Sequence, residues 1–131
     1  MPTHIRKGIF QLVEEANQIV EEISITEALS LHGRDDVQFV DIRDIRELDR
    51  EGRVPGAYHC PRGMLEFWVD PQSPYAKTAF QQDVTFVLFC AAGMRSALAG
   101  RTLVEMGLPS VKHIQGGFAA WCENGGEVNK G

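Results

Sequence analysis

Residues 84–90, VTFVLFC, carry apolar side chains at almost every position. A strand with one wet face alternates apolar and polar residues. A nearly unbroken apolar run bounded by polar residues suits a strand buried on both faces of a parallel sheet. Such a strand needs covering helices on both sides, and its parallel neighbours need crossover segments between them. The rest of the chain supplies these in alternation. Residues 7–20 place Ile9, Leu12, Val13, Ala16 and Val20 on one helical stripe. SITEALSLHG (24–33) predicts a helix opened by Ser24 or Thr26 and closed by Gly33. VQFVDIRD, from Val37, predicts a strand ending near Asp41, and DIRELDREG a short helix stopped by Gly52. VPGAYHCP is a turn and brief strand cut off by Pro61. Met64 to Trp68 predict one or two helical turns, with DPQSP as a loop. RSALAGRTLVEMG follows the apolar strand as a helix ending at Gly107; VKHIQGG is a short strand and FAAWCENGG a closing helix. The expectation is an α/β fold: an open, mostly parallel sheet flanked by helices on both faces. Residues 1–21 are read as an N-terminal helical extension and 22–131 as the domain proper.

Length and charge narrow the function. A chain of 131 residues suits one domain. Its net charge of -5 argues against non-specific nucleic-acid binding, which needs a basic face. No apolar run reaches the roughly 18 residues of a membrane span, and the N-terminus is too acidic for a secretory signal, so a cytoplasmic protein is expected. Cys60, Cys90 and Cys122 are odd in number and form no CxxC pair. His4, His32, His59 and His113 show no ligand spacing, and each is read as a surface or satisfied structural histidine. Neither a disulfide framework nor a metal site is expected.

The chemistry concentrates after the apolar strand. In open α/β sheets ligands sit beyond the carboxyl ends of the strands, and Cys90 stands there, followed by AAGMRS. A turn between strand and helix aims successive amides at one point, and the following helix adds a positive dipole end. A thiol placed there ionises more readily, and the thiolate is the nucleophile. Gly93 permits a left-handed turn. Ala91 and Ala92 keep the surroundings small, Arg95 adds a cation or braces the loop, and Ser96 caps the helix. Met94 sits near the entrance, favouring a thiol acceptor or filling space. Four residues separate Cys90 from Arg95, a loop that fits one extra sulfur atom more easily than a phosphate.

These motifs together resemble a single-domain rhodanese, a sulfurtransferase, over roughly residues 22–126. CAAGMRS resembles the family's Cys-x-x-Gly-x-Arg/Thr/Ser loop, and VDIRD its strand ending in Asp-x-Arg. EGRVPGA resembles its Gly-His-Ile-Pro-Gly-Ala signature, with Arg53 in place of His, and GGFAAW its Gly-Gly-x-x-x-Trp close. The resemblance implies that Cys90 takes a sulfane sulfur from a small sulfur-containing anion such as thiosulfate. It implies that Cys90 holds the sulfur as a persulfide and passes it to cyanide, a thiol or a protein acceptor, with no cofactor. The amides from Ala91 to Ser96 would steady the charge.

Other residues carry two readings each. Asp41 and Arg43 position the loop or substrate, or pair with local charges, the second being preferred. Arg62 reaches the mouth as a cation for an anionic donor or is a solvated surface residue. Phe67 and Trp68 wall the pocket or pack the core. Trp121 anchors the last helix. Cys60 and Cys122 are read as structural thiols rather than resolving ones, and RELDRE as a solvated helix face. Two other functions stay open: a non-enzymatic sulfur-carrier or redox binding module, and a phosphatase or arsenate reductase, which the short loop disfavours. A monomer and a homodimer are both compatible with the amphipathic first helix.

Overall fold

A computed structural model describes residues 3–130 of the chain. Five parallel strands form one sheet in the order β1-β5-β4-β2-β3. They are β1 (Glu21–Ile23), β2 (Val37–Asp41), β3 (Tyr58–His59), β4 (Thr85–Phe89) and β5 (Val111–Ile114). The apolar run is indeed central: β4 pairs with β2 from Val37↔Thr85 to Asp41↔Phe89 on one side and with β5 on the other. Its side chains divide strictly by parity. Phe86 and Leu88 enter one core cluster with Leu103, Ala99 and Leu65, while Val87 and Phe89 enter the other with Phe39, Phe118 and Trp121. Burying each large apolar side chain contributes about 1.5–3 kcal/mol, so this one strand ties both layers together.

The helices are α1 (Ile9–Asn17), α2 (Ile25–Leu31), α3 (Ile45–Glu51), α4 (Leu65–Val69), α5 (Met94–Glu105) and α6 (Gly117–Glu123). Ser24, not Thr26, opens α2, accepting the Glu27 amide at 3.1 Å. Gly52 ends α3 as expected. A 3-10 turn at Arg62–Met64 leads into α4, so the expected helical turns begin and end about one residue later. A second 3-10 turn spans Thr78–Gln81, where the sequence reading assigned no element.

Two expectations are corrected. The first helix ends at Asn17, and residues 21–23 form β1 on the sheet edge, paired with Lys112 to Ile114. Strand β1 has three residues, of which only Ile23 is buried, so no alternation announces it. Helix α1 packs along α5, with Ala16 fully buried and Glu15 facing both Lys7 (2.8 Å) and Arg101 (3.8 Å). That contact carries the end of α1 to the carboxyl edge of β5.

Candidate functional site

Cys90 follows β4 directly, and the chain turns at once into α5. The turn depends on Gly93, whose φ of 102° lies in the left-handed region open chiefly to glycine. With that turn made, two amides point at the sulfur: Gly93 N–H donates to Sγ at 3.2 Å and Ser96 N–H at 3.4 Å. The loop carbonyls face the other way. Phe118 N–H donates to the Cys90 carbonyl at 2.8 Å and Ala119 N–H to that of Ala91 at 3.0 Å, both from the start of α6. Gly117, at φ 57°, allows this approach, since a Cβ there would collide with the Cys90 carbonyl oxygen. The dipoles of the loop are therefore sorted: carbonyls clamped outward by α6, amides turned in on the thiol. Two N–H groups at hydrogen-bond distance stabilise negative charge on sulfur, as a thiolate or as a persulfide.

Ser96 does not cap α5. Gly93 occupies the cap, and no side chain serves it. The Ser96 hydroxyl instead stands 3.6 Å from Cys90 Sγ and 2.9 Å from Nδ1 of His113, a fully buried residue of β5. The other ring nitrogen, Nε2, meets Asn17 Oδ1 at 2.6 Å. With an amide oxygen at Nε2, that nitrogen carries the ring proton and donates it. Nδ1 is left to accept from the Ser96 hydroxyl, whose lone pair then faces the thiol. Burial lowers the His113 pKa to about 4, so the ring is neutral at neutral pH. It orients the Ser96 hydroxyl rather than storing a proton.

His113 was read from the sequence only as a surface or satisfied structural histidine, and Asn17 carried no reading of its own. One signal was there: in VKHI, Val111 and His113 share one face of a short buried strand. A histidine on such a face must find a partner at each nitrogen.

Arg95 faces the pocket but is not free. Its Nη1 and Nη2 donate to the two carboxylate oxygens of Glu47 at 2.9 and 3.0 Å. This hydrogen-bonded pairing lowers the Glu47 pKa and raises that of Arg95. Glu47 also accepts the Asp44 amide at 3.1 Å, closing the start of α3 in a capping box. The charge run RELDRE is thus only partly a solvated face. Glu47, third residue of its helix, is the brace of the cysteine loop's cation, and Asp44 three residues before it was the available cue.

Asp41 and Arg43 take the structural alternative. They are fully buried and pair through Nη2–Oδ2 at 2.8 Å and Nε–Oδ1 at 3.0 Å. Arg43 also donates to the Gly52 carbonyl at 2.9 Å and stacks 4.0 Å over the Phe118 ring, tying β2 to α3 and α6.

Arg62 is not brought to the thiol. Its guanidinium pairs with Glu66 at 2.8 Å, and it does not line the Cys90 pocket. Phe67 neither walls the pocket nor packs the core: it is half exposed against Tyr75. Trp68 packs at the core edge against Tyr58, and Trp121 is fully buried under α6.

All three cysteines are free. Cys60 is buried, and desolvation pushes its thiol up to about 12, which suits an inert structural role; Cys122 is exposed. Among the described residues no three potential metal ligands converge, and no helix is long and apolar enough to cross a membrane.

Cys90 opens to a pocket of about 340 Å³ lined by Ala91, Ala92, Met94, Arg95 and Leu98, and by Ile9 of α1. Two hollows of about 440 Å³ lie elsewhere, against Asp36, Phe80 and Ser110 and against Val69 and Met106, and no cysteine is among the described residues lining either.

Comparison with known proteins fits this arrangement. Residues 24–124 match the model of the rhodanese-like domain. A sulfurtransferase of Allochromatium vinosum is 31% identical over 109 residues, covering 82% of this chain and 92% of that one. The solution structure of the polysulfide-sulfur transferase homodimer of Wolinella succinogenes aligns with a TM-score of 0.68 at 30% identity, covering 91% and 85% of the two chains. A structure from Rhodopseudomonas palustris superposes with a TM-score of 0.95 at 53% identity, covering 98% and 99%; it is described as a protein of unknown function and possible tyrosine phosphatase. With a thiol cradled at the strand-to-helix turn and the family match spanning most of its length, this chain belongs to the rhodanese-like domain family.

Proposed function

We propose that the protein is a sulfurtransferase in which Cys90 carries a sulfane sulfur as a persulfide between a donor and a thiophilic acceptor, without a cofactor. The observation that carries this reading is the pair of amides, Gly93 and Ser96, aimed at Sγ. In the first half-reaction the Cys90 thiolate attacks the outer sulfur of the donor. A new S–S bond forms at Sγ, and the donor's S–S bond breaks with its electron pair on the leaving group. In the second, an acceptor such as cyanide, a small thiol or a protein cysteine attacks that outer sulfur and Cys90 leaves as the thiolate. Charge sits on sulfur beside the same two N–H groups at each stage, so the cradle needs no rearrangement between steps. The small side chains of Ala91 and Ala92 leave room for one added sulfur atom. The sulfurtransferase and polysulfide-sulfur transferase relatives support this class of chemistry, and the free cysteines suit a reducing compartment such as the cytoplasm.

The Rhodopseudomonas relative raises phosphate-ester hydrolysis as a second reading. Phosphate recognition by an arginine uses its fork of donors bidentately, and here both terminal nitrogens of Arg95 are held by Glu47. Four residues between Cys90 and Arg95 also make a small cradle. The test is a parallel assay of thiocyanate formation from thiosulfate or polysulfide plus cyanide, and of p-nitrophenyl phosphate hydrolysis. The expected outcome is cyanide-dependent sulfur transfer abolished by Cys90→Ser, with no phosphatase turnover. Phosphatase turnover that vanishes in Cys90→Ser, without sulfur transfer, would replace this reading with the second.

A further inference from the structure

The walls of the Cys90 pocket suit an uncharged donor. Ile9, Met94 and Leu98 present aliphatic or thioether surface, and Ala91 and Ala92 add only methyl groups. Among the described residues the one cation lining it, Arg95, has both terminal nitrogens committed to the Glu47 carboxylate, so the pair brings no net charge. Arg62, the other candidate cation, sits on Glu66 outside the lining. Moving a dianion such as thiosulfate from water against this surface costs desolvation that no unpaired cation among the described lining residues repays. An apolar substituent gains by leaving water there. The volume of about 340 Å³ lies at the small end of ligand pockets, enough for one ring or a short branched chain. Ile9 adds a further point: it belongs to α1, so this wall comes from a helix outside the matched residues 24–124.

Building on the sulfur-transfer reading, we infer that the preferred donor is a small organic hydropersulfide, R–S–SH, whose R group is apolar and uncharged and rests on Ile9, Met94 and Leu98. The Cys90 thiolate attacks the terminal sulfur. The Sγ–S bond forms, the donor's S–S bond breaks, and its electron pair departs on R–S⁻. The hydrogen stays on the transferred sulfur, giving Cys90–S–SH, so charge and atoms balance with no outside oxidant or reductant. One negative charge is present before and after, beside the Gly93 and Ser96 amides. With thiosulfate the site would instead hold a dianionic donor and release sulfite.

The test compares benzyl hydropersulfide with 4-carboxybenzyl hydropersulfide, which share their sulfur chemistry and differ by one charge, with thiosulfate as a third donor. Each is assayed for loading of Cys90 by intact mass and for thiocyanate release with cyanide. The expected kcat/KM for the benzyl donor exceeds that of its carboxylated analogue by about tenfold or more, the scale of discrimination an apolar pocket gives. Glu47→Gln, which frees Arg95, and Ile9→Arg, which puts a cation at the rim, each shift that ratio toward the carboxylated donor. Equal or better use of the carboxylated donor or of thiosulfate by the wild type overturns the proposed donor class while leaving sulfur transfer intact. If no donor loads Cys90, sulfur transfer itself falls and the donor class with it.

Discussion

The hydroxyl of Ser96 stands between Cys90 Sγ at 3.6 Å and His113 Nδ1 at 2.9 Å, so one side chain joins the nucleophile to a histidine sealed in the sheet. Asn17 extends the chain by another 2.6 Å contact, from 96 residues away in sequence. The N-terminal helix therefore reaches the site twice, through Asn17 behind the sulfur and through Ile9 in front of it.

Ser96→Ala removes that hydroxyl and strands the acceptor nitrogen of His113 in the core. An unsatisfied buried group costs about 1–3 kcal/mol, measurable by urea unfolding at neutral pH. The Ser96 amide survives, so the cradle keeps both N–H donors and sulfur transfer persists at a kcat close to the wild type. A loss of about tenfold or more in kcat would show that the hydroxyl, and not only the amides, stabilises the sulfur.

His113 also sets an acid limit on stability. Its folded pKa of about 4 lies below the 6.5 of a free histidine. Between these values the unfolded chain binds a proton that the folded chain refuses. Stability attached to the neutral ring is complete above about pH 6.5 and declines as pH falls toward 4, by up to about 3 kcal/mol. Glu47, held below the ordinary carboxylate range by its hydrogen bonds from Arg95, adds stability that is likewise lost as pH falls. Denaturant unfolding from pH 7 to 4 should give a visibly flatter curve for His113→Gln than for the wild type. Parallel curves would contradict this role.

Asp41→Ala leaves the Arg43 guanidinium buried without its carboxylate. Removing one partner of a buried pair costs about 3–5 kcal/mol. The expected result is a large drop in the unfolding midpoint, whatever donor is present. An unchanged midpoint would mean that the pair does not hold β2 against α3 and α6.

Gly117→Ala places a methyl group against the Cys90 carbonyl, at a φ that disfavours it. The clash pushes α6 off the loop and rotates the amides away from Sγ. Strained backbone of this kind costs about 1–3 kcal/mol. Gly107→Ala is also strained by a positive φ, but its added methyl meets open space. Sulfur transfer should fall much further in Gly117→Ala than in Gly107→Ala. Equal losses would show that backbone strain, not the clamp, matters.

Much of this could be read from the chain, for reasons tied to particular residues. The apolar run at 84–90 announced a central parallel strand, because no other element needs both faces dry. Cys90 and Gly93 were legible because their chemistry is local: the turn, the sulfur and the amides lie within a few residues. Glu47, His113, Asn17 and Ile9 were not, because each acts across the fold. Glu47 looked like one charge in a charged helix, and His113 like any histidine, until α3 and β5 were placed beside the loop. Ser96 was assigned to the helix cap by its position in sequence, but Gly93 took the cap and the hydroxyl turned inward. Strand β1 was missed because its pairing with β5 alone defines it.

The most direct test of the central claim is the intact mass of the protein after incubation with a panel of sulfane donors, with peptide mapping and a cyanide wash. The account predicts one added sulfur atom on Cys90, removed by cyanide, and none in Cys90→Ser. No added sulfur with any donor, or sulfur on Cys60 or Cys122 that Cys90→Ser retains, would contradict it.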